Sequence, residues 1–199
     1  DTAMKRSIAK IDLFNDLAAD IKNILQGENR MSDFIGYTTP TLGDGFSATF
    51  NAIKGTEEEG DNSIGDSTSM SLNYKTKSLY AAIAFDSKLK GYDTTRISIQ
   101  VPFDRTQIGI IYQDTEKLSS GLKEDGYVLS LSNKVGEKGV FKIQLAESDM
   151  KIGSGKQTSI GYDYKLSKKA KAFVFYTDLS GDSLSKEKEI SALGFEYKF

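Results

Sequence analysis

The residues of this chain best suited to chemistry are three carboxylates near its N-terminus. Asp12, Asp16 and Asp20 are four residues apart, a spacing that places them in one row along a face of an α-helix. Such a row concentrates negative charge and would attract cations. It is also the pattern of a solvated polar face on an ordinary amphipathic helix, and both interpretations stay open.

The composition removes the commonest general base and the commonest metal ligands. The chain has 199 residues and contains no histidine and no cysteine, so neither a His-containing triad nor a thiolate metal site can be built. We therefore predict no enzymatic activity, no metal and no cofactor. The formal net charge of −2 lacks the basic footprint of a nucleic-acid-binding protein, so nucleic acid is not an expected partner.

The three carboxylates are predicted to lie on a helix within the first 29 residues. Apolar residues from Ile11 to Leu25 recur at helical spacing, Asp12 is suited to cap the helix, and Gly27 is placed to end it. No apolar run in the chain approaches the ~20 residues that a membrane-spanning helix needs.

After Arg30 the pattern changes to the period of two that is typical of β-strands. About eleven alternating segments follow, and they begin at Ile35, Phe46, Met70, Leu79, Ile97, Ile108, Tyr127, Phe141, Ile160, Lys171 and Ile190. Residues 171–177 are apolar on both faces, so their inward side cannot be assigned.

The links between these segments alternate in length. Short turns are predicted near residues 43–45, 75–78, 104–105, 136–139 and 167–170, and longer polar links at 55–67, 87–94, 114–125, 148–156 and 179–187. Tight turns at one edge of the sheet and loops at the other are typical of outer-membrane barrels. A soluble up-and-down barrel could share the meander without so regular an alternation. We predict an all-β protein, a transmembrane antiparallel β-barrel.

The last strand carries a second signal for this architecture. Phe195, Tyr197 and Phe199 share one face, while Glu196 and Lys198 share the other. A terminal aromatic residue after alternating hydrophobic residues is typical of the closing strand of an outer-membrane barrel, where it serves as the assembly signal.

Several short motifs resemble the general porin family of Gram-negative bacteria. They are Arg30, Ile35, Tyr37, Thr39-Pro40 and Gly45-Phe46, together with the terminal Phe199. The resemblance covers essentially the whole chain. It implies a barrel in the cell outer membrane that forms a homotrimer, contacts lipid and lipopolysaccharide, and is inserted by the barrel-assembly machinery.

The resemblance also assigns the parts of a single porin barrel domain over residues 1–199. Residues 1–29 take the place of the inward-folded constriction loop, which includes a short helix. Residues 30–199 correspond to strands 6 to 16 of a sixteen-stranded barrel, so the first five strands are expected to be missing from this sequence. The candidates for the pore constriction are Asp12, Asp16, Asp20, Glu28 and Arg30, and the inward polar positions that could line the pore include Asn51, Asn73, Arg96 and Gln100.

The leading functional hypothesis is passive diffusion of small hydrophilic solutes and ions through a water-filled channel. If the acidic row faces the constriction, it should favour cations. The alternative is an adhesin or receptor barrel that acts through its external loops. Long aromatic loops would favour that alternative, whereas most links in this chain are short to moderate and polar.

Overall fold

The computed structural model describes residues 1–55, 63–149, 155–182 and 188–199. Eleven strands form one antiparallel sheet in which every strand pairs with its neighbours in sequence. Their bounds are β1 Phe34–Thr38, β2 Phe46–Lys54, β3 Ile64–Lys75, β4 Tyr80–Leu89, β5 Tyr92–Phe103, β6 Thr106–Lys117, β7 Leu122–Val135, β8 Gly139–Ser148, β9 Gly155–Lys165, β10 Ala170–Ser180 and β11 Lys188–Tyr197. The prediction of an all-β meander with about eleven strands is confirmed.

Over the described ranges, helical structure is confined to the N-terminal segment, which we define as residues 1–29. It contains the four-residue helix α1, Ala3–Arg6, and a 3₁₀ turn at Ile21–Asn23. Among the described residues, no helix has the length and apolar character needed to cross a membrane.

The two faces of the sheet are inverted relative to a soluble protein. On β5 and β6 the paired residues Ile99 and Ile110 lie on the outer face and are exposed, whereas Arg96 and Gln113 are paired on the inner face and are buried. The same alternation continues along the neighbouring strands, which exposes Met70, Leu72, Phe85, Ile97, Ile108, Tyr112, Leu129 and Ile160 on the outside. An apolar exterior around a polar interior is the arrangement that lipid requires of a barrel.

The sheet has two free edges over the described residues. β1 and β11 are the terminal strands of the order, and they do not pair with each other. Each edge therefore presents backbone N–H and C=O groups that another strand could pair.

The links confirm one part of the predicted layout and correct another. One edge of the sheet, which we call the turn edge, carries links no longer than seven residues at 39–45, 76–79, 104–105, 136–138 and 166–169. The prediction of long links at 87–94 and 114–125 is wrong, because β4 and β5 extend until only residues 90–91 separate them, and β6 and β7 leave only 118–121. The ends of these strands consist largely of polar residues, so the sequence pattern does not show how far the backbone pairing continues. The predicted links at 55–67, 148–156 and 179–187 lie partly outside the described residues.

The prediction of a helix from Ile11 to Leu25 is also wrong. The backbone of Asp16 has a φ of 65°, a left-handed conformation that no α-helix contains. Asp12 and Asp20 accept hydrogen bonds from the amides of Phe14 and Lys22, two residues further along, and such local bonds compete with helix formation.

The apolar residues of the N-terminal segment are buried even though they do not form a helix. One cluster joins Ile8, Ile11, Ile21, Ile24 and Leu25 to Ile111, Val128, Ala146 and Leu179 of the inner wall. A second cluster packs Phe14 and Ala19 against Phe175, with the rings of Phe14 and Phe175 5.8 Å apart. This packing settles which side of β10 faces inward, which the sequence left open.

Two glycines of the wall allow the N-terminal segment to approach closely. A Cβ atom at Gly126 would collide with the side chain of Leu25, and one at Gly161 would collide with the ring of Phe14. Both positions are on inward faces, so the missing side chains leave space for the packed segment.

Candidate functional site

The candidate site is the inner face of the sheet together with the N-terminal segment that crosses it. At its start, the segment is held by polar side chains of β2, β3 and β4. The Ala3 amide donates to Asn51 Oδ1 at 2.7 Å and the Met4 amide donates to Ser69 Oγ at 3.1 Å. The Tyr80 hydroxyl donates to the Ser7 carbonyl at 2.8 Å.

The middle of the segment is held by long amide side chains on β8 and β9. Gln144 accepts a hydrogen bond from the Leu13 amide at 2.8 Å, and Gln157 donates to the Ala19 carbonyl at 2.6 Å. Lys142 donates to the Leu13 carbonyl at 3.0 Å and lies 4.6 Å from the centre of the Phe14 ring. These wall residues supply partners for backbone groups that an irregular segment cannot pair within itself.

A buried ion-pair cluster ties both ends of the segment to β5, and we call it the latch. Glu28 pairs with Arg96 at 2.6 Å and with Lys5 at 2.9 Å. The side chains of Arg96, Glu28 and Lys5 are only 0%, 2% and 6% exposed. Arg96 also donates to the Gln26 carbonyl and to Gln113 Oε1, both at 2.7 Å. The latch therefore joins the beginning and the end of the segment to one point on the wall.

The three carboxylates of the predicted row lie in three different environments. Asp12 is buried and accepts hydrogen bonds from the Phe14 amide and from Gln144, each at 3.1 Å. Asp20 is fully buried and accepts from the Asp16 and Lys22 amides, each at 2.7 Å. Asp16 is exposed and pairs with Arg30 at 2.5 Å. They do not form the single row of carboxylates that helical spacing predicts.

The charge state of these carboxylates follows from their surroundings. Burial, reinforced by the nearby charge of Asp20, raises the pKa of Asp12 to about 7. The hydrogen bond from Arg30 lowers the pKa of Asp16. Arg30 also contacts Asp1 at 3.1 Å, so this exposed arginine is shared between two acidic partners.

The structure places the predicted pore-lining residues at different depths below the segment. Asn51 and Arg96 lie directly beneath it and are bonded to it. Gln100 is buried on the same face of β5 as Arg96. Asn73 is half-buried near the turn edge, where it accepts a hydrogen bond from the Tyr80 hydroxyl at 3.0 Å.

Sequence reasoning missed the basic residues that gather inside the turn edge. They line a cavity of about 740 Å³ and comprise Lys10, Arg105, Lys134, Lys142, Lys171 and Lys198. Alternation alone could have placed Lys142 inward, since it stands two residues before the inward Gln144 on β8. Nothing in the sequence brings Lys10 of the segment to the same cavity.

Comparison with known protein families identifies the family of this chain. A family model described as Gram-negative porin matches residues 2–184. The chain belongs to the Gram-negative porin family. The resemblance inferred from the short motifs is confirmed, and membership places this porin in the bacterial outer membrane.

Solved porin structures share the fold. An anion-selective porin from Comamonas acidovorans has a TM-score of 0.66 and 22% identity over 86% of this chain and 61% of its own. A porin refined at 1.8 Å has a TM-score of 0.63 and 16% identity over 88% of this chain and 65% of its own. The trimer form of OmpT from Vibrio cholerae has a TM-score of 0.57 and 12% identity over 84% of this chain and 64% of its own.

The porin chain spans less than two thirds of the length of each of these three proteins. At these identities the likeness concerns the fold alone. No curated protein sequence matches the chain.

The latch yields the first prediction. In a Glu28→Gln variant of the porin, the buried side chains of Arg96 and Lys5 keep their positive charges but lose the one carboxylate that pairs with both of them. Removing one partner of a buried pair typically costs about 3 kcal/mol or more. We expect amides of the N-terminal segment to exchange hydrogen roughly a hundredfold faster.

The control for the latch is an exposed ion pair elsewhere in the same chain. Glu116 and Lys123 are 3.5 Å apart and largely exposed, so Glu116→Gln should change the exchange free energy of its neighbours by less than about 1 kcal/mol. Equal effects of the two substitutions on the N-terminal segment would contradict the role of the latch.

Asp12 yields the second prediction. Its folded pKa of about 7 lies above the ordinary aspartate value of 3.8, so its contribution to stability is complete below about pH 4 and is lost as the pH rises through about 7. The infrared titration of the porin minus that of Asp12→Asn should contain a protonated carboxyl band that disappears near pH 7. In Asp16→Asn the band should remain, because the pKa of Asp16 is lowered. A difference spectrum without this band would show that Asp12 does not carry the proton.

Proposed function

We propose that this porin forms most of the wall of a water-filled channel for passive diffusion of small hydrophilic solutes and ions, and that it is not an enzyme. The inverted sheet carries the proposal. An apolar outer face suits lipid, and an inner face with buried Ser98, Gln113 and Gln144 suits water. Nothing in the described residues favours the alternative of an adhesin or receptor.

Residues 1–29 are proposed to act as the constriction of this channel. Hydrogen bonds from the wall strands β2, β3, β4, β8 and β9, together with the latch on β5, support this role, because they hold the segment across the inner face. A rigidly held segment narrows the lumen reproducibly and brings fixed charges close to a passing solute.

Residues 30–199 are proposed to be strands 6 to 16 of a barrel closed by further strands. Every neighbouring pair in the sheet is antiparallel, so β1 and β11 run in the same direction. An odd number of additional strands is then needed to close an antiparallel barrel between them. Five strands satisfy this condition and would pair both edges, as lipid demands.

The proposed partners follow from the outer surface. Lipid and lipopolysaccharide would contact the exposed apolar band, and the trimer form of OmpT supports a homotrimer. Phe195, Tyr197 and Phe199 are exposed on the outer side of β11 and beyond its end. This accessible aromatic row is proposed to be the signal that the barrel-assembly machinery reads.

Replacement of the segment tests the channel and its constriction together. The backbone of Thr2 donates to the Asn29 carbonyl at 3.2 Å, so the two ends of the segment are close, and residues 8–25 can be replaced by a short Gly-Ser linker in the full-length porin. We expect ohmic single channels in planar bilayers, with a larger conductance in the linker variant because the constriction is removed. Equal conductance would refute the constriction, and the absence of channels in the wild type would refute the channel itself.

Removal of the terminal residue tests the assembly signal. Deletion of Phe199 should lower the heat-modifiable folded fraction in outer membranes, because the aromatic row loses its end. The matched control is Phe103→Ala, which removes another highly exposed aromatic residue, at the end of β5. Comparable folding of the two variants would show that Phe199 has no special role in assembly.

A further inference from the structure

The basic residues inside the turn edge form one continuous charged surface, which we call the vestibule. Six basic and three acidic residues line its main cavity of about 740 Å³, the acidic residues being Asp12, Asp104 and Asp163. An adjoining cavity shares Asp163, Lys171 and Lys198 with the first and adds Lys138, Lys165, Lys168, Lys169 and Glu196. Positive charge therefore exceeds negative charge in both parts of the vestibule.

Ion pairs within the vestibule leave much of this positive charge uncompensated. Asp163 is shared by Lys142 at 2.8 Å and Lys171 at 3.3 Å. Glu196 is likewise shared by Lys171 at 3.2 Å and Lys198 at 3.5 Å. Two carboxylates thus form ion pairs with three lysines.

The remaining cations of the main cavity lack even a shared partner. Over the described ranges of the chain, no carboxylate lies within ion-pair distance of Lys10, Arg105 or Lys134. All three residues are exposed, so their charges can act on solvent and on any solute inside the vestibule.

The acidic residues of the N-terminal segment do little to oppose this field. Asp20 is buried with its oxygens bonded to backbone amides, and Asp16 is neutralised by Arg30. Asp12 lines the main cavity, and its pKa of about 7 leaves it only partly ionised at neutral pH. The chain as a whole has a net charge of −2, so the positive vestibule arises from the placement of charges and not from composition.

We propose that the vestibule collects anions and that the channel therefore passes small inorganic and organic anions in preference to cations. The inference rests on the proposed channel function and specifies its substrate class. Clustered like charges in a confined aqueous space raise the local concentration of counter-ions. The effect extends over the Debye length, about 8 Å at physiological salt and about 30 Å at 0.01 M.

The test compares two variants of the full-length porin that lose the same charge at opposite edges. The vestibule variant carries Lys10→Gln, Arg105→Gln and Lys134→Gln. The control variant carries Lys54→Gln, Lys117→Gln and Lys123→Gln, which are exposed residues at the other edge of the sheet. All six positions are on the surface, so neither variant disturbs the packed segment.

The measurement is the reversal potential across planar bilayers under low-salt gradients of potassium chloride and of potassium succinate. We expect chloride to permeate better than potassium in the wild type. The anion-to-cation permeability ratio should fall about twofold or more in the vestibule variant for both salts, as expected for charges about 8 Å from the ion path in water. The control variant should stay close to the wild type.

The two proposals fail in distinguishable ways. An absence of ohmic channels would refute the proposed function. Channels that conduct but prefer potassium, or that change equally in the two variants, would refute the vestibule while leaving the channel intact.

Discussion

Every backbone N–H and C=O group of a chain that crosses lipid must find a partner inside the protein. Ten consecutive antiparallel ladders meet this demand between β1 and β11 and leave only the outer edges of these two strands to be paired, and they force side chains to alternate between the two faces of the sheet. The irregular N-terminal segment has no such ladder. It is tolerated because it lies on the inner face, where Asn51, Gln144 and Gln157 pair its backbone. The polar inner face of this porin therefore holds the element that crosses it.

Buried charges of this porin are either paired with opposite charges or reduced by a shifted pKa. In the latch, Glu28 pairs with both Arg96 and Lys5, so one carboxylate offsets part of the positive charge of two buried cations. The carboxylates of Asp12 and Asp20 are instead both buried, and burial together with the nearby charge of Asp20 raises the pKa of Asp12. The first arrangement anchors the segment. The second lowers the negative charge of Asp12 at neutral pH.

The periodicity of the sequence was sufficient to predict the wall. An alternation of two is imposed residue by residue wherever one face of a strand meets lipid, so the eleven strands could be predicted from local pattern, as could the outer face of every strand except β10. Link lengths were less predictable, because polar residues occur both in turns and at strand ends. The two-residue turn at 90–91 lay inside a stretch that was predicted to be a loop.

The candidate site was predicted only in part. The sequence by itself determined that residues 1–29 are distinct and that Ile11, Phe14 and Leu25 need burial, because their apolar side chains must leave water in any fold. It also suggested a helix, because the apolar residues from Ile11 to Leu25 recur at helical spacing. Only the tertiary structure decided that Asp12 and Asp20 are buried, that Arg96 closes a latch, and that Lys10 faces the lysines of distant strands. Those outcomes depend on contacts between residues that are far apart in the chain. Such contacts set the electrostatic environment of each charged side chain, and local sequence patterns do not show them.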